Sequence, residues 1–181
     1  TDISRTFAFG KLTQRMKEDF TTVLQCNFNL AHAVFLEGTT GYNLDVLARM
    51  PAWRRGINFN HGTGHDVGYL MNIHEASFGF RCAIREKEHA RLMTGLVITD
   101  EPGIYIEGSH GVRTENELLV REGEKNEYGQ FLYFEPITYV PIDLDAIIPE
   151  MLTDQEREQL NDYHKKVYEI VAPHLNDDER E

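Results

Sequence analysis

From Thr13 to Gly38 the apolar residues Met16, Phe20, Val23, Leu24, Phe28, Ala31, Val34 and Phe35 fall at helical spacing. This stripe constrains the fold more than any other feature, because a long helix with one apolar face must bury that face against a second layer. Thr13 suits its N-terminal cap, and Gly38 lies just past its end. A shorter helix is predicted with Asn43 as cap, running through Leu44, Val46, Leu47 and Ala48 until Pro51 disturbs it. A third covers residues 86–93 and leads into Gly95.

Elsewhere the period is two. Residues 3–9 alternate around Arg5 and stop at Gly10, so Asp2, Ser4 and Thr6 share one face of a predicted strand. Residues 96–99, 104–106, 112–120 and 131–140 also read as strands, with a polar turn at 122–126 and an interruption at Pro136. Residues 56–79 are rich in glycine and histidine and have little periodicity, which predicts irregular backbone or short strands around a site. After Pro149 comes a charged amphipathic helix capped by Thr153 with Glu156 three residues on, carrying Leu160, Tyr163, Val167 and Ile170 on one side. It reads as an appendage packed on the sheet, followed by a frayed polar tail at 176–181.

Composition excludes several function classes. With 181 residues, 41% of them hydrophobic, the chain can bury a core. A net charge of −12 with only 18 Lys and Arg leaves no basic run to neutralise nucleic-acid phosphates or an anionic membrane surface. No apolar run approaches the roughly 20 residues of a membrane span. Cys26 and Cys82 are far apart and form no CxxC pair, so they read as free thiols of a reducing, cytoplasmic compartment.

His61-Gly-Thr-Gly-His65 is the densest motif. Two histidines four apart suit a zinc-protease helix only with a glutamate after the first and a helical backbone, and Gly62 and Gly64 supply neither. A phosphate loop fits no better, since Gly68 comes one position late and no P-loop lysine follows. Glu101 and Glu115 sit on or beside apolar strand sequence, where a buried carboxylate is costly unless it meets a cation. Strand parity puts Arg113 on the same face as Glu115. The ordered set Asp2, His65, Glu101, Glu115 is three carboxylates and one imidazole. Such a set suits a pair of hard-to-borderline divalent cations better than structural zinc, and points to a metal-assisted hydrolase.

The segments Thr-Asp-Ile-Ser-Arg-Thr (1–6), Gly-Tyr-Asn-Leu-Asp-Val-Leu-Ala-Arg (41–49), His-Gly-Thr-Gly-His (61–65), Asn-Ile-His-Glu (72–75), Thr-Asp-Glu-Pro-Gly-Ile-Tyr (99–105) and Gly-Val-Arg-Thr-Glu-Asn (111–116) resemble the catalytic domain of the Xaa-Pro aminopeptidases, the aminopeptidase P branch of the pita-bread metallopeptidases. Phe-Glu-Pro-Ile-Thr-Tyr-Val-Pro-Ile (134–142) and the terminal helix resemble the longer, multidomain branch. The resemblance implies an α+β pita-bread fold, a curved antiparallel sheet with helices on its outer face. Residues 1–149 would be the C-terminal portion of the catalytic domain and 150–181 a helical extension. It further implies two divalent metal ions, manganese in most members with cobalt or zinc as substitutes, bridged by Asp2 and Glu115 and completed at one ion by His65 and Glu101. His61 and His74 would contact substrate, Arg113 would assist proton movement, and Glu101 would act as general base on water attacking the bond before proline. Substrates would be peptides with proline second, and the enzyme a cytoplasmic homodimer.

The family pattern also has a first metal aspartate and a further substrate histidine upstream of the position matched by Asp2. Their place falls before Thr1, and the first residues already read as strand, so upstream domains of the same polypeptide are expected and this stretch alone would be inactive or weakly active. Prolidase shares the ligand set and acts on dipeptides, creatinase needs no metal, and non-catalytic binding modules of the same fold have usually lost ligands. The C-terminal segment favours the aminopeptidase over prolidase, and the retained ligands disfavour the other two.

Overall fold

The computed structural model describes residues 2–70, 72–85 and 91–180. Its framework is a six-stranded antiparallel sheet in the order β1-β8-β7-β4-β2-β3. The strands are β1 (Val34–Leu36), β2 (Gly64–Val67), β3 (His74–Phe80), β4 (Val97–Asp100), β7 (Asn116–Asn126) and β8 (Gly129–Pro136). A separate hairpin pairs β5 (Gly103–Ile106) with β6 (His110–Arg113). Helices α1 (Gln14–Ala31) and α2 (Gly41–Arg54) pack together, and α3 (Asp154–Val171) follows near the end of the chain.

Helix α1 starts where its sequence says, with the Thr13 hydroxyl accepting from Met16 N–H. It ends sooner than the stripe suggests. His32 caps it, and Val34–Leu36 instead pairs with β8, where Phe35 alone points inward. Apolar residues at helical spacing thus continue into a strand because β8 offers β-branched and aromatic side chains a pleated partner. Helix α2 begins three residues earlier than expected: Thr40 is the cap, and Asn43 closes the reciprocal box from the third position. Pro51 does not end it. The carbonyl that a residue-51 N–H would bond, that of Leu47, accepts from Asn29 Nδ2 of α1 at 3.4 Å, so tertiary packing offsets the missing bond.

Two cores flank α1. Leu30 and Ala31 join Leu44 and Ala48 of α2 over Phe78, Phe80, Ile98, Leu118, Val120, Leu132 and Phe134 of the sheet. Phe20, Val23, Leu24 and Phe28 cover Ile104 of β5 and Val112 of β6, and reach Ile142, Leu152 and Leu160. Burying each such side chain contributes about 1.5–3 kcal/mol.

Other expectations need correction. Residues 3–9 form no strand: they run alongside β6 and β7 with one backbone bond, Glu115 N–H to Ser4 O (3.0 Å), and Thr6 uses its hydroxyl rather than its backbone to meet Arg113. Residues 112–120 are two strands, because Glu115 turns both backbone groups toward this segment, its carbonyl accepting from Arg5 Nη1 at 2.6 Å. The polar run 122–126 is not a turn but the solvent-exposed end of β7, still paired with β8 up to Asn126 opposite Gly129. Of the helix expected at 86–93, residues 86–90 lie outside the described residues. Arg91 forms an isolated bridge with Thr40, and Leu92 N–H bonds Thr39 O. Helix α3 has its Thr153–Glu156 capping box. It rests mainly on α1 and the 138–152 segment rather than on the sheet, tied by Tyr163 Oη to Val140 O (2.8 Å) and by His164 Nε2 accepting from Ile142 N–H (3.0 Å).

Candidate metal centre

Strand parity separates core from site. On β4, Ile98 and Asp100 face the helices, while Thr99, like Glu101 just beyond the strand, faces the opposite side. The Thr99 hydroxyl accepts from His65 N–H (3.1 Å) and donates to Glu101 Oε1 (3.1 Å), so one side chain fixes both neighbours. Gly64 makes that approach possible. A Cβ there would lie 1.9 Å from Thr99 O, closer than any side chain tolerates.

His65 Nδ1 lies 2.7 Å from the Asp66 carbonyl, which can only accept, so Nδ1 carries a proton and the neutral ring presents its lone pair at Nε2. That lone pair faces Asp2 Oδ2 at 3.2 Å and Glu101 Oε1 at 3.3 Å. Asp2 Oδ2 is buried and has no hydrogen-bond partner. An imidazole nitrogen and two carboxylate oxygens therefore converge on one point, a donor set that suits a cation. Glu115 adds a further carboxylate, anchored by the Ser4 hydroxyl at 2.5 Å. Burial pushes the Glu115 carboxyl above its ordinary range, the Ser4 bond opposes this, and the charges of Glu101 and Asp2 add to the rise. Arg113 Nη1, 2.9 Å from Glu101 Oε2, is the cation in direct contact with this group.

His74 extends the cluster. Its Nε2 is 3.8 Å from Asp2 Oδ2 and its ring centre is 4.4 Å from that of His65, so Asp2, His65 and His74 alone could hold one ion. Its side chain is 77% exposed, however, which suits a group facing incoming substrate. His61 stands apart. Its Nδ1 is 2.7 Å from Gly62 O and its Nε2 is 3.3 Å from Gly103 O, and its ring neighbours Tyr105 (5.7 Å), over which Arg113 lies at 5.6 Å. The structure thus brings Asp2, His65, His74, Glu101, Glu115 and Arg113 together and sets His61 at one edge.

Several contributors escaped sequence reasoning. Thr99 and Ser4 bear on the ligands directly, and Ser4 was foreshadowed only by its shared face with Asp2. Asp100 is fully buried behind Glu101 with neither carboxylate oxygen bonded; desolvation, then the charges of Glu101 and Glu115, push it well above the carboxylate range. A groove of about 490 Å³ between α1, α2 and the start of α3 shares no residue with the cluster.

Comparison with known proteins now bears on this geometry. The model of metallopeptidase family M24 matches residues 1–122, and that of the C-terminal region of peptidase M24 matches residues 130–181. The chain is a member of metallopeptidase family M24. Among its M24 relatives, aminopeptidase P1 of Lotus japonicus is 40% identical over 98% of this chain and 27% of its own length, and aminopeptidase P1 of Arabidopsis thaliana is 41% identical over 100% and 28%. The probable Xaa-Pro aminopeptidase P of Talaromyces marneffei is 42% identical over 99% and 28%. The chain therefore spans under a third of the length of these relatives. Among solved M24 structures, the X-prolyl aminopeptidase of Caenorhabditis elegans, a cytosolic enzyme with a di-nuclear active site, superposes with a TM-score of 0.88 at 34% identity, covering 97% of this chain and 28% of that one. The Xaa-Pro dipeptidase of Bacillus anthracis gives 0.62 at 33%, covering 82% and 37%. The fold is accordingly the α+β pita-bread arrangement, a curled antiparallel sheet with helices against it.

Proposed function

We propose that the protein carrying this chain is a dinuclear-metal Xaa-Pro aminopeptidase, releasing the first residue of peptides whose second residue is proline. The observation that carries the reading is the convergence of Asp2 Oδ2, His65 Nε2 and Glu101 Oε1, with Glu115 beside them. The donor set fits divalent ions: the carboxylates of Asp2, Glu101 and Glu115 and the imidazole of His65 would hold them. Mostly oxygen donors favour manganese, with cobalt or zinc as substitutes. When bound, the ions would polarise the scissile carbonyl and lower the pKa of attacking water.

The chain's own residues supply the rest. Glu101 would take a proton from the attacking water while Arg113 steadies its Oε2, and the proton would then pass to the departing proline nitrogen. His74 on the exposed side and His61 at the edge would orient the peptide carbonyls. Aminopeptidase rather than dipeptidase action is supported by the match of residues 130–181 and by the fuller superposition on the C. elegans enzyme. In the polypeptide as a whole, segments beyond this chain would supply a fifth ligand, a further substrate histidine and a homodimer contact. A cytoplasmic site of action is supported by the likeness to the cytosolic C. elegans enzyme.

The test is hydrolysis by the full-length protein of an Xaa-Pro-Xaa peptide and an Xaa-Pro dipeptide, before and after chelation and Mn2+ repletion. Metal-dependent cleavage of the longer peptide supports the reading. Preference for the dipeptide favours prolidase, and cleavage insensitive to chelation refutes both.

A further inference from the structure

Resting on that reading, we propose that the buried Asp45–Arg49 pair of α2 is a positioning device that sets His61, and through Thr63 the backbone of Glu101, for the reaction. Neither residue reaches the ligand cluster. Their side chains are 1% and 5% exposed, one helical turn apart, with Arg49 Nε 2.6 Å from Asp45 Oδ2. The rest of the guanidinium faces the loop before β2. Nη1 donates to Phe59 O (2.6 Å) and Asn58 Oδ1 (3.1 Å), and Nη2 donates to His61 O (2.8 Å). Its plane lies over the Phe59 ring at 4.2 Å. Asp45 turns its other oxygen, Oδ1, to the Thr63 hydroxyl at 2.6 Å. Thr63 in turn accepts Glu101 N–H on its carbonyl at 2.7 Å and donates its own N–H to Phe80 O.

The pair therefore grips both ends of residues 58–63, a stretch outside helix and strand whose buried carbonyls lack ladder partners. Stability is a poor account of such a pair, since two charges lose in desolvation about what they gain in attraction, and apolar replacements often do as well. A guanidinium supplies what those cannot: a rigid fork of donors that fixes several carbonyls at once.

The test uses the full-length protein carrying Arg49→Lys, which keeps the charge but loses the fork, and Thr63→Val, which removes one hydroxyl at nearly constant shape. A misplacement below 1 Å at a reacting group costs on the order of 10–100-fold. The expected result is a kcat loss of that order for Arg49→Lys and about 3–10-fold for Thr63→Val. KM should stay within about twofold and metal content should be unchanged. In a His61→Ala background, Arg49→Lys should cost clearly less than in the wild type, the remainder being the Glu101 backbone still held through Asp45 and Thr63. Losses that multiply in that background, or a rise in KM alone, overturn the proposal. The His61 imidazole resonances, read by NMR without turnover, must shift in both Arg49→Lys and Thr63→Val. Failure of the wild type to cleave Xaa-Pro peptides would sink the peptidase reading while leaving this second readout to judge the positioning.

Discussion

Arg5→Met should loosen the junction that carries Glu115, and the structure gives the size of the effect. The Arg5 guanidinium donates to Ser4 O (2.9 Å), Glu115 O (2.6 Å), Asn116 Oδ1 (2.6 Å), Val140 O (3.0 Å) and Tyr163 Oη (2.6 Å). After its removal Ser4 O keeps the Glu115 N–H and Val140 O keeps the Tyr163 hydroxyl, whose single proton leaves Asn116 Oδ1 without a donor. Glu115 O loses its donor. An orphaned acceptor costs about 1–3 kcal/mol and a lost charge-assisted bond about 1.5–3, and because these overlap the sum is about 3 kcal/mol. Since each 1.4 kcal/mol is a factor of ten, amide exchange at Glu115 in the full-length protein should accelerate about 100-fold. Arg5→Lys should recover only part of this, as an ammonium cannot span five acceptors. Exchange within about threefold of wild type would refute the reasoning.

Three further outcomes follow from the same geometry. Gly64→Ala drives a methyl into Thr99 O and should separate β2 from β4, lowering both stability and Mn2+ affinity; calorimetry showing unchanged affinity would contradict the role given to that close approach. Burial holds His164 below the ordinary histidine range, so the folded state binds fewer protons than the unfolded state just below pH 6.5. Stability from the docking of α3 is thus present above about pH 6.5 and falls as pH drops toward the folded pKa, a slope that His164→Gln should abolish in denaturation series. Glu115 has its folded pKa raised, so the metal-free protein loses stability as pH climbs above about 4.5. Glu115→Gln should therefore stabilise the chelated protein at neutral pH while weakening metal binding at least about tenfold, and a destabilised chelated variant would reverse the sign of the argument.

How much of this was legible depended on whether an element answers to its own sequence or to a partner. The caps at Thr13 and Thr153 are local, and they stand where the residues place them. Val34 and Phe35 kept the helical period of α1 but obey β8, a neighbour a hundred residues away. Pro51 reads as a helix end only until Asn29 bonds the carbonyl it orphans. At the site, residue types in motifs such as His61–His65 were visible, and so was the shared face of Asp2, Ser4 and Thr6. Thr99, bonding a histidine on one strand and a glutamate beyond another, carries no local signal. The Asp45–Arg49 pair lay in a recognised motif without a function, because its work is done on a loop ten residues downstream.

The central claim is that Asp2, His65, Glu101 and Glu115 are metal ligands. Anomalous diffraction at the manganese edge, from crystals of the full-length protein grown with Mn2+, tests it most directly. Two peaks are predicted within bonding distance of these four side chains, one of them against His65 Nε2, with Nδ1 still bonded to Asp66 O. Peaks elsewhere, or an Asp2–His65 contact that persists as a hydrogen bond with no ion beside it, would contradict the account.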